Sequence, residues 1–249
     1  MRRHILLAWL AGYCVLSICP TDPASAETVA DPDDFIVIED FSTSSLDSLP
    51  SGWSWRGKDN DKPKLYAVRE SNGQRYLAAQ DTGLSVVLFK RANWNPQKYP
   101  IMTWCWRADE LPPGADERYT ETNDSAAGVF VMVSKTFLLG IPRMIKYTWS
   151  STLAEGTLGR RKGIGRPWVV VLESGSDKLG QWIFEQVDLA RDNQLTFKRD
   201  LPDKMVGLAV LTDANQTQSY AEAAYADFRA WPRAALGSIP NHCAKLVGE

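Results

Sequence analysis

The chain has 249 residues, of which 44% are hydrophobic and 23% are charged, a composition typical of a globular protein with one large domain or two small ones. The 28 basic residues are balanced by 30 acidic residues. No field of a single sign therefore favours binding to nucleic acid or to an anionic membrane. The chain has only two histidines, His4 and His242, and this scarcity disfavours histidine-based catalysis.

The first 26 residues have the pattern of a secretory signal peptide. Arg2 and Arg3 supply a basic start, residues 5–19 are apolar, and a small-residue Ala-Ser-Ala triplet ends at Ala26. The apolar stretch is shorter than the ~20 residues that a membrane-spanning helix needs. We therefore predict cleavage after Ala26, export to the periplasm or the cell exterior, and a mature protein without an integral membrane segment.

Eleven short runs, rich in valine, isoleucine and aromatic residues, follow an acidic, flexible lead-in at residues 27–34. Their lengths and composition favour β-strands over helices, and glycine, proline, asparagine and aspartate separate them. Only residues 188–198 have a helical pattern. The predicted strands are residues 35–41, 65–69, 76–80, 85–90, 101–107, 127–134, 144–150, 168–173, 182–187, 206–211 and 224–231.

This succession of strands predicts an all-β fold, a two-sheet sandwich with at most one or two short helices. No linker divides it, so we predict one domain over residues 35–232 and a tail over residues 233–249. The runs at 129–133, 169–172 and 208–211 are apolar at every position, as expected of central strands that are covered on both faces.

Cys105 and Cys243 are the two cysteines outside the predicted signal peptide. In an oxidising compartment two cysteines are able to form one disulfide. The sequence leaves the pairing open, because it does not show whether the two Cα atoms come within bonding range.

Two acidic turns stand at the ends of predicted central strands. Asp124 precedes the run at 129–133, and Asp213 follows the run at 208–211. Groups at the ends of rigid strands are held in place, which suits ligand binding. Aspartate at a strand end also commonly bonds to the turn backbone, so both interpretations stay open. If the two turns lie on one rim, both carboxylates bind ligand hydroxyls.

Strand alternation assigns directions to three further side chains. In residues 101–107 the large apolar side chains point one way, toward the predicted core, and Arg107 points the other way. Arg107 is then available either to a ligand or to a surface ion pair. Tyr147 and Trp149 share one strand face and form either a stacking surface for a sugar ring or part of an aromatic cluster.

Three features are less specific. Trp53 and Trp55 form a second aromatic pair of the same kind. Residues 159–163 form a basic, glycine-containing loop without a phosphate-binding consensus, which either approaches an anionic ligand or is a solvated hairpin tip. Asp59-Asn60-Asp61, and Glu39-Asp40 facing Asp227, offer oxygen ligands for calcium but match no calcium-loop consensus. We predict no metal and no cofactor.

Six phrases occur in a fixed order between residues 102 and 228. They are MTWCWR at residues 102–107, TNDSAA at 122–127, YTWS at 147–150, VLESG at 171–175, GLAVLTD at 207–213 and YADF at 225–228. In this order they resemble a bacterial family of exported proteins known as domain of unknown function 3047. The resemblance implies a jelly-roll-like sandwich similar to carbohydrate-binding modules, and no established reaction.

We predict an exported, non-catalytic protein that binds a saccharide or another polyhydroxylated envelope ligand. The predicted ligand contacts are Arg107, Asp124, Tyr147, Trp149 and Asp213. One alternative is a glycan hydrolase or lyase that uses two carboxylates from Asp124, Glu173, Glu185 and Asp213. A second alternative is an envelope structural or adaptor protein whose cleft a protein partner fills. The oligomeric state stays open.

Overall fold

The computed structural model describes residues 34–56, 65–135 and 140–247. The predicted signal peptide, residues 27–33 of the lead-in and the Asp59-Asn60-Asp61 segment lie outside these ranges. The strands of the described part are β1 (Ile36–Glu39), β2 (Ser54–Arg56), β3 (Tyr66–Ser71), β4 (Gln74–Asp81), β5 (Val87–Arg91), β6 (Ile101–Glu110), β7 (Ser125–Lys135), β8 (Pro142–Ser150), β9 (Leu158–Arg160), β10 (Trp168–Ser174), β11 (Ile183–Asp188), β12 (Gly207–Asp213) and β13 (Ala221–Trp231). The helices are α1 (Leu189–Phe197), a 3-10 helix (Arg233–Ala235) and α2 (Ala244–Val247).

The strands form two sheets. The six-stranded sheet has the order β11-β6-β13-β4-β3, with β1 also pairing with β13. The seven-stranded sheet has the order β2-β5-β12-β7-β8-β10-β9. All of these pairs are antiparallel except β8 with β10, which is parallel. The fold is a β-sandwich, as the sequence predicted.

Large aromatic side chains fill the space between the sheets. Trp104 and Trp106 point inward from β6, and Tyr147 and Trp149 point inward from β8. Ring centroids lie 5.6 Å apart for Trp104 and Tyr147, and 6.1 Å apart for Trp106 and Trp149. All four side chains are fully buried. Because buried aromatic side chains contribute more apolar area than other residues, these contacts dominate the stability of the core.

Each of the eleven predicted strands overlaps an observed strand, and the predicted helix is α1. Asp188 begins α1 by accepting hydrogen bonds from the Ala190 and Arg191 amides, and Lys198 ends it in a left-handed conformation. Two strands were missed, β2 and β9. Each has three residues and is the outermost strand of the seven-stranded sheet, so neither is long enough to show an alternating pattern.

The prediction of three central strands needs one correction. β7 and β12 lie in the interior of the seven-stranded sheet. β10 lies next to the outermost strand, and its residues alternate between buried and half-buried. Its second face is therefore only partly covered, although every residue from 169 to 172 is apolar.

The chain beyond β13 packs on the outer face of the six-stranded sheet. Cys243 forms a disulfide with Cys105 of β6, with a Cα–Cα distance of 5.6 Å. His242 lies beside this bond, and its Nδ1 is 3.0 Å from Asp227 Oδ2 while its Nε2 is 3.0 Å from Thr103 Oγ1. The structure therefore pairs the two cysteines whose pairing the sequence left open.

Across the ranges given above, no helix is both long and apolar enough to cross a membrane.

The disulfide is expected to be a major source of stability. It joins residues separated by 138 positions, and the chain-entropy model assigns about 5 kcal/mol to a loop of that length. Replacing Cys243 with serine should lower the free energy of unfolding by this amount in urea denaturation. Wild-type protein treated with a reducing agent should match the variant. A difference below about 1 kcal/mol between oxidised wild type and variant would contradict this assignment.

Candidate functional site

A groove of about 610 Å³ lies on the outer face of the seven-stranded sheet. Its floor is made of side chains that point away from the core. Its walls are segments at residues 84–87, 120–123, 161–167 and 215–216, together with Arg56. The floor residues are Phe130 of β7, Met144 and Lys146 of β8, Val169 of β10, and Leu211 and Asp213 of β12.

Strand alternation places Lys146 on the groove floor. Its neighbours Tyr147 and Ile145 point into the core, so Lys146 points outward. The register pairs it with Phe130, and the ammonium lies 5.7 Å from the Phe130 ring centroid. A Cβ atom at Gly128 would lie 2.7 Å from Cε of Lys146. Glycine at that position therefore leaves the room that the lysine side chain occupies.

The Lys146 ammonium is almost completely removed from water. The residue is 3% exposed, and Nζ donates a hydrogen bond to Ser125 Oγ at 2.6 Å. Burial lowers the pKa of Lys146, whereas the nearby carboxylates of Glu117 and Asp213 raise it. A buried cation is costly unless partners compensate its charge. The floor of the groove thus depends on a small network of opposite charges.

Asp213 is the acidic member of this network that lines the groove. Burial raises its pKa to about 6, Lys146 opposes that rise, and Asp124 adds to it. The residue is 2% exposed, and within the described ranges its Oδ1 atom has no hydrogen-bond partner. The same holds for Oδ1 of Asn215 in the adjacent wall. Two buried acceptors are therefore without donors at the edge of the groove.

Asp124 supports the groove wall from beneath. Its carboxylate accepts hydrogen bonds from the amides of Gln216 and Thr217, at 3.1 and 2.6 Å, and from Thr217 Oγ1 at 2.6 Å. The residue has no exposed surface. The expectation of a direct ligand contact is corrected, because all of these bonds go to the chain itself. The two acidic turns do lie close together, since Asp124 raises the pKa of Asp213.

Arg107 lies on the opposite side of the sandwich. Its side chain points outward from the six-stranded sheet, where Nε is 2.9 Å from Asp109 and the guanidinium carbon is 5.2 Å from the Trp182 ring centroid. Arg107 and Asp213 therefore belong to the outer faces of different sheets, with the aromatic core between them. The predicted convergence of Arg107 with the two acidic turns is corrected.

Tyr147 and Trp149 form part of the core rather than a platform. The Tyr147 hydroxyl donates to Asp192 at 2.9 Å, and Trp149 Nε1 donates to the Gly175 carbonyl at 3.0 Å. Neither residue has exposed surface, so neither ring is available to a ligand. The stacking prediction is corrected for both residues.

Burial and hydrogen-bond or ion-pair partners also account for two less specific candidates, the Trp53–Trp55 aromatic pair and the possible calcium ligands. Trp53 is 7% exposed, and its Nε1 donates to Glu39 at 2.7 Å; Trp55 is half-buried against the core. Glu39 also accepts from Lys90 at 2.5 Å, and Asp227 pairs with Arg229 at 2.6 Å. The oxygens named for calcium at these positions therefore contact protein cations.

Glu173 of β10 and Glu185 of β11 form a second pair of interacting carboxylates, with one member from each sheet. Burial raises the pKa of Glu185 to about 8, and Glu173 contributes to the rise. Trp106 Nε1 donates to Glu185 at 2.9 Å, and Lys178 donates to Glu173 at 2.5 Å. The four carboxylates named in the sequence thus divide into two separate pairs.

The family assignment comes from sequence. The profile of the family described as "Protein of unknown function (DUF3047)" matches residues 51–229, most of the chain. The chain belongs to this family. No curated protein matches the DUF3047 chain in sequence.

Solved structures show distant likenesses to the DUF3047 fold. A family 11 carbohydrate-binding module of a Clostridium thermocellum cellulosomal cellulase has 8% identity and a TM-score of 0.41, covering 80% of this chain and 94% of that one. The xyloglucanase domain of NopAA from Sinorhizobium fredii, solved with cellobiose, has 8% identity and a TM-score of 0.41 over 74% and 96%. The module TmCBM61, solved with β-1,4-galactotriose, has 11% identity and a TM-score of 0.35 over 74% and 90%.

Several groove residues of the DUF3047 chain were missed in the sequence. Phe130 lies in a run that was expected to be covered on both faces, and Lys146 lies in a predicted strand of which only the aromatic face was considered for ligand binding. The sequence does contain a sign of this outer face in β8, because Lys146, Thr148 and Ser150 alternate with the buried aromatic residues Tyr147 and Trp149. Residues Arg161 and Arg166 belong to the connection that follows β9, and both line the groove.

The raised pKa of Asp213 predicts a pH dependence of stability. The folded pKa is about 6, against 3.8 for an ordinary aspartate. The folded state therefore binds this proton more tightly, and the free energy of unfolding falls as pH rises from about 4 to about 6. The fall attributable to Asp213 is about 3 kcal/mol.

An Asp213→Asn variant should lack that component. Urea denaturation at pH 4 and pH 7 is expected to show wild type losing about 3 kcal/mol relative to the variant. Asn123→Ala, a change in the groove wall that removes no titrating group, serves as the control and should follow wild type. A wild-type-to-variant difference that is the same at both pH values would refute the assignment.

Proposed function

We propose that this protein binds a saccharide, or another polyhydroxylated ligand, in the groove of the seven-stranded sheet, without catalysing a reaction. One observation carries the proposal. Two buried acceptor atoms, Oδ1 of Asp213 and Oδ1 of Asn215, lack donors beside a floor that is partly apolar.

A sugar ring supplies the two kinds of group that this groove is suited to bind, hydrogen-bond donors and an apolar face. Its hydroxyl groups are donors, and leaving a buried acceptor without one costs about 1–3 kcal/mol. Its C–H face is apolar and packs on side chains such as Phe130, Met144 and Leu211. A groove with an apolar floor and a few fixed polar groups is the usual form of a small-ligand site.

The roles of the residues follow from this placement. Asp213 contacts the ligand, and Asp124 positions the wall that carries Asn215 and Gln216. Phe130 replaces Tyr147 and Trp149 as the aromatic surface under the ligand. The function predicted from sequence is kept, while most of its contact residues change.

We also propose that the protein is exported, to the periplasm or the cell exterior. The basic and apolar pattern of residues 1–26 supports export. The buried disulfide between Cys105 and Cys243 supports it independently, because such bonds persist mainly in oxidising compartments.

A glycan hydrolase is the second candidate, and Glu185 is the observation that favours it. A carboxyl group with a pKa of about 8 stays protonated at neutral pH, as a general acid must. Glu173 is the nearby second carboxylate. Chromatography of glycans after incubation distinguishes the candidates: a binding protein releases no product, whereas a hydrolase releases product that Glu185→Gln abolishes.

The binding proposal predicts a specific effect at Phe130. On a glycan array, the purified protein should bind at least one class of glycan. Phe130→Ala should weaken the affinity for that glycan roughly tenfold in calorimetry, since an aromatic surface under the sugar is lost. Phe89→Ala is the matched control, because Phe89 is a half-buried aromatic residue of β5 outside the groove's lining.

Two results would count against the proposal. Binding to no class of glycan on the array would remove the function itself. Equal losses of affinity in the Phe130 and Phe89 variants would remove the groove as its location.

A further inference from the structure

The groove carries more positive than negative charge. Four cationic side chains line it, and Asp213 is the acidic side chain among the described lining residues. The cations come from separate elements: one from the end of β2, one from β8, and two from the connection between β9 and β10. They are Arg56, Lys146, Arg161 and Arg166.

Lys146 and Asp213 compensate each other at the floor, since each shifts the pKa of the other toward its charged form. The three arginines lack a paired carboxylate, and Asp213 and Glu121 compensate the charge of Arg161 only in part. Over the residues that the structure describes, none of the three guanidinium groups forms an ion pair or donates a hydrogen bond. Elsewhere on the surface, arginines pair with nearby carboxylates, as Arg118 does with Asp116 and Arg233 with Asp188.

Arg161 shows most clearly that leaving these guanidinium groups unpaired is unfavourable. Its side chain is half-buried. Burial lowers its pKa, the neighbouring charge of Arg166 lowers it further, and Asp213 and Glu121 only partly oppose these effects. A partly desolvated cation beside a like charge is unfavourable until an anion is bound. This feature is independent of the unpaired acceptors that define the groove.

We propose that the ligand of this groove is an anionic saccharide, whose carboxylate or phosphate group is held by Arg161 and Arg166 while its ring lies over Phe130 and Asp213. This inference rests on the function proposed above and specifies its ligand class. A guanidinium group binds a carboxylate or a phosphate through two parallel hydrogen bonds. A neutral sugar makes no such pair and would cover the arginines without compensating them.

Matched pairs of oligosaccharides test the proposal on the full chain. One pair is an oligogalacturonate and its methyl ester, which share a backbone and differ in charge. The other is a phosphorylated mannan oligosaccharide and its dephosphorylated form. Calorimetry should show one anionic member binding at least about tenfold more tightly than its neutral partner, because a charge-assisted pair is added. The pair that responds identifies carboxylate or phosphate as the recognised group.

Variants connect the preference to the arginines. Arg161→Gln/Arg166→Gln should reduce affinity for the anionic member at least about tenfold and leave the neutral member unchanged. Lys162→Gln is the control, because Lys162 is exposed in the same connection and is not among the described lining residues. Thermal unfolding of each variant verifies that it folds, and the single variant Arg166→Gln provides a smaller change at the exposed member of the pair.

The outcomes separate this inference from the function on which it rests. Equal binding of both members of a pair overturns the anionic preference and keeps saccharide binding. A charge preference that survives the double arginine variant also overturns the inference, since the anion is then held elsewhere. Binding of no member of either pair, with no binding on the array, overturns both.

Discussion

The groove of this protein depends on a lysine ammonium buried on the outer face of a β-sheet. Lys146 is 3% exposed and lies between the core of the sandwich and the groove. An unpaired ammonium in such a position would destabilise the fold by several kcal/mol. Its surroundings are polar for that reason: Ser125 Oγ accepts a hydrogen bond from the ammonium, and Glu117 and Asp213 supply negative charge.

This constraint extends to neighbouring residues. Gly128 has no side chain because Lys146 occupies the space. Burial makes ionisation of Asp213 unfavourable. Its carboxylate nevertheless stabilises the charged form of Lys146, so removing Asp213 would leave the ammonium with less opposite charge nearby. The residues that solve the problem of the buried lysine also give the groove its fixed polar groups. Structural stability and the proposed ligand site therefore share the same side chains.

Local sequence pattern was sufficient for the fold. Alternation and apolar runs identified every strand longer than three residues, because such strands bury one or both faces. β2 and β9 were missed, since a three-residue strand is defined by the neighbour with which it pairs. The disulfide also required the structure, because the separation of Cys105 and Cys243 depends on how the C-terminal segment packs.

The site was harder to predict for a similar reason. Alternation tells which side chains of one strand share a face, and it correctly set Arg107 opposite Trp106. It does not tell which sheet the strand joins, so Arg107 and Asp213 were expected together although they lie on different sheets. On β8 the aromatic residues were taken for the ligand face, whereas the polar residues Lys146 and Thr148 mark the face away from the core.

The location of the ligand is the central claim, and amide NMR of the ¹⁵N-labelled protein tests it most directly. The protein is titrated with the oligosaccharide that binds in calorimetry, and shift changes are mapped on the structure. The changes are expected to cluster at Phe130, Lys146, Asp213 and residues 161–167, on the outer face of the seven-stranded sheet. Changes clustered instead around Arg107, on the opposite sheet, would contradict the claim.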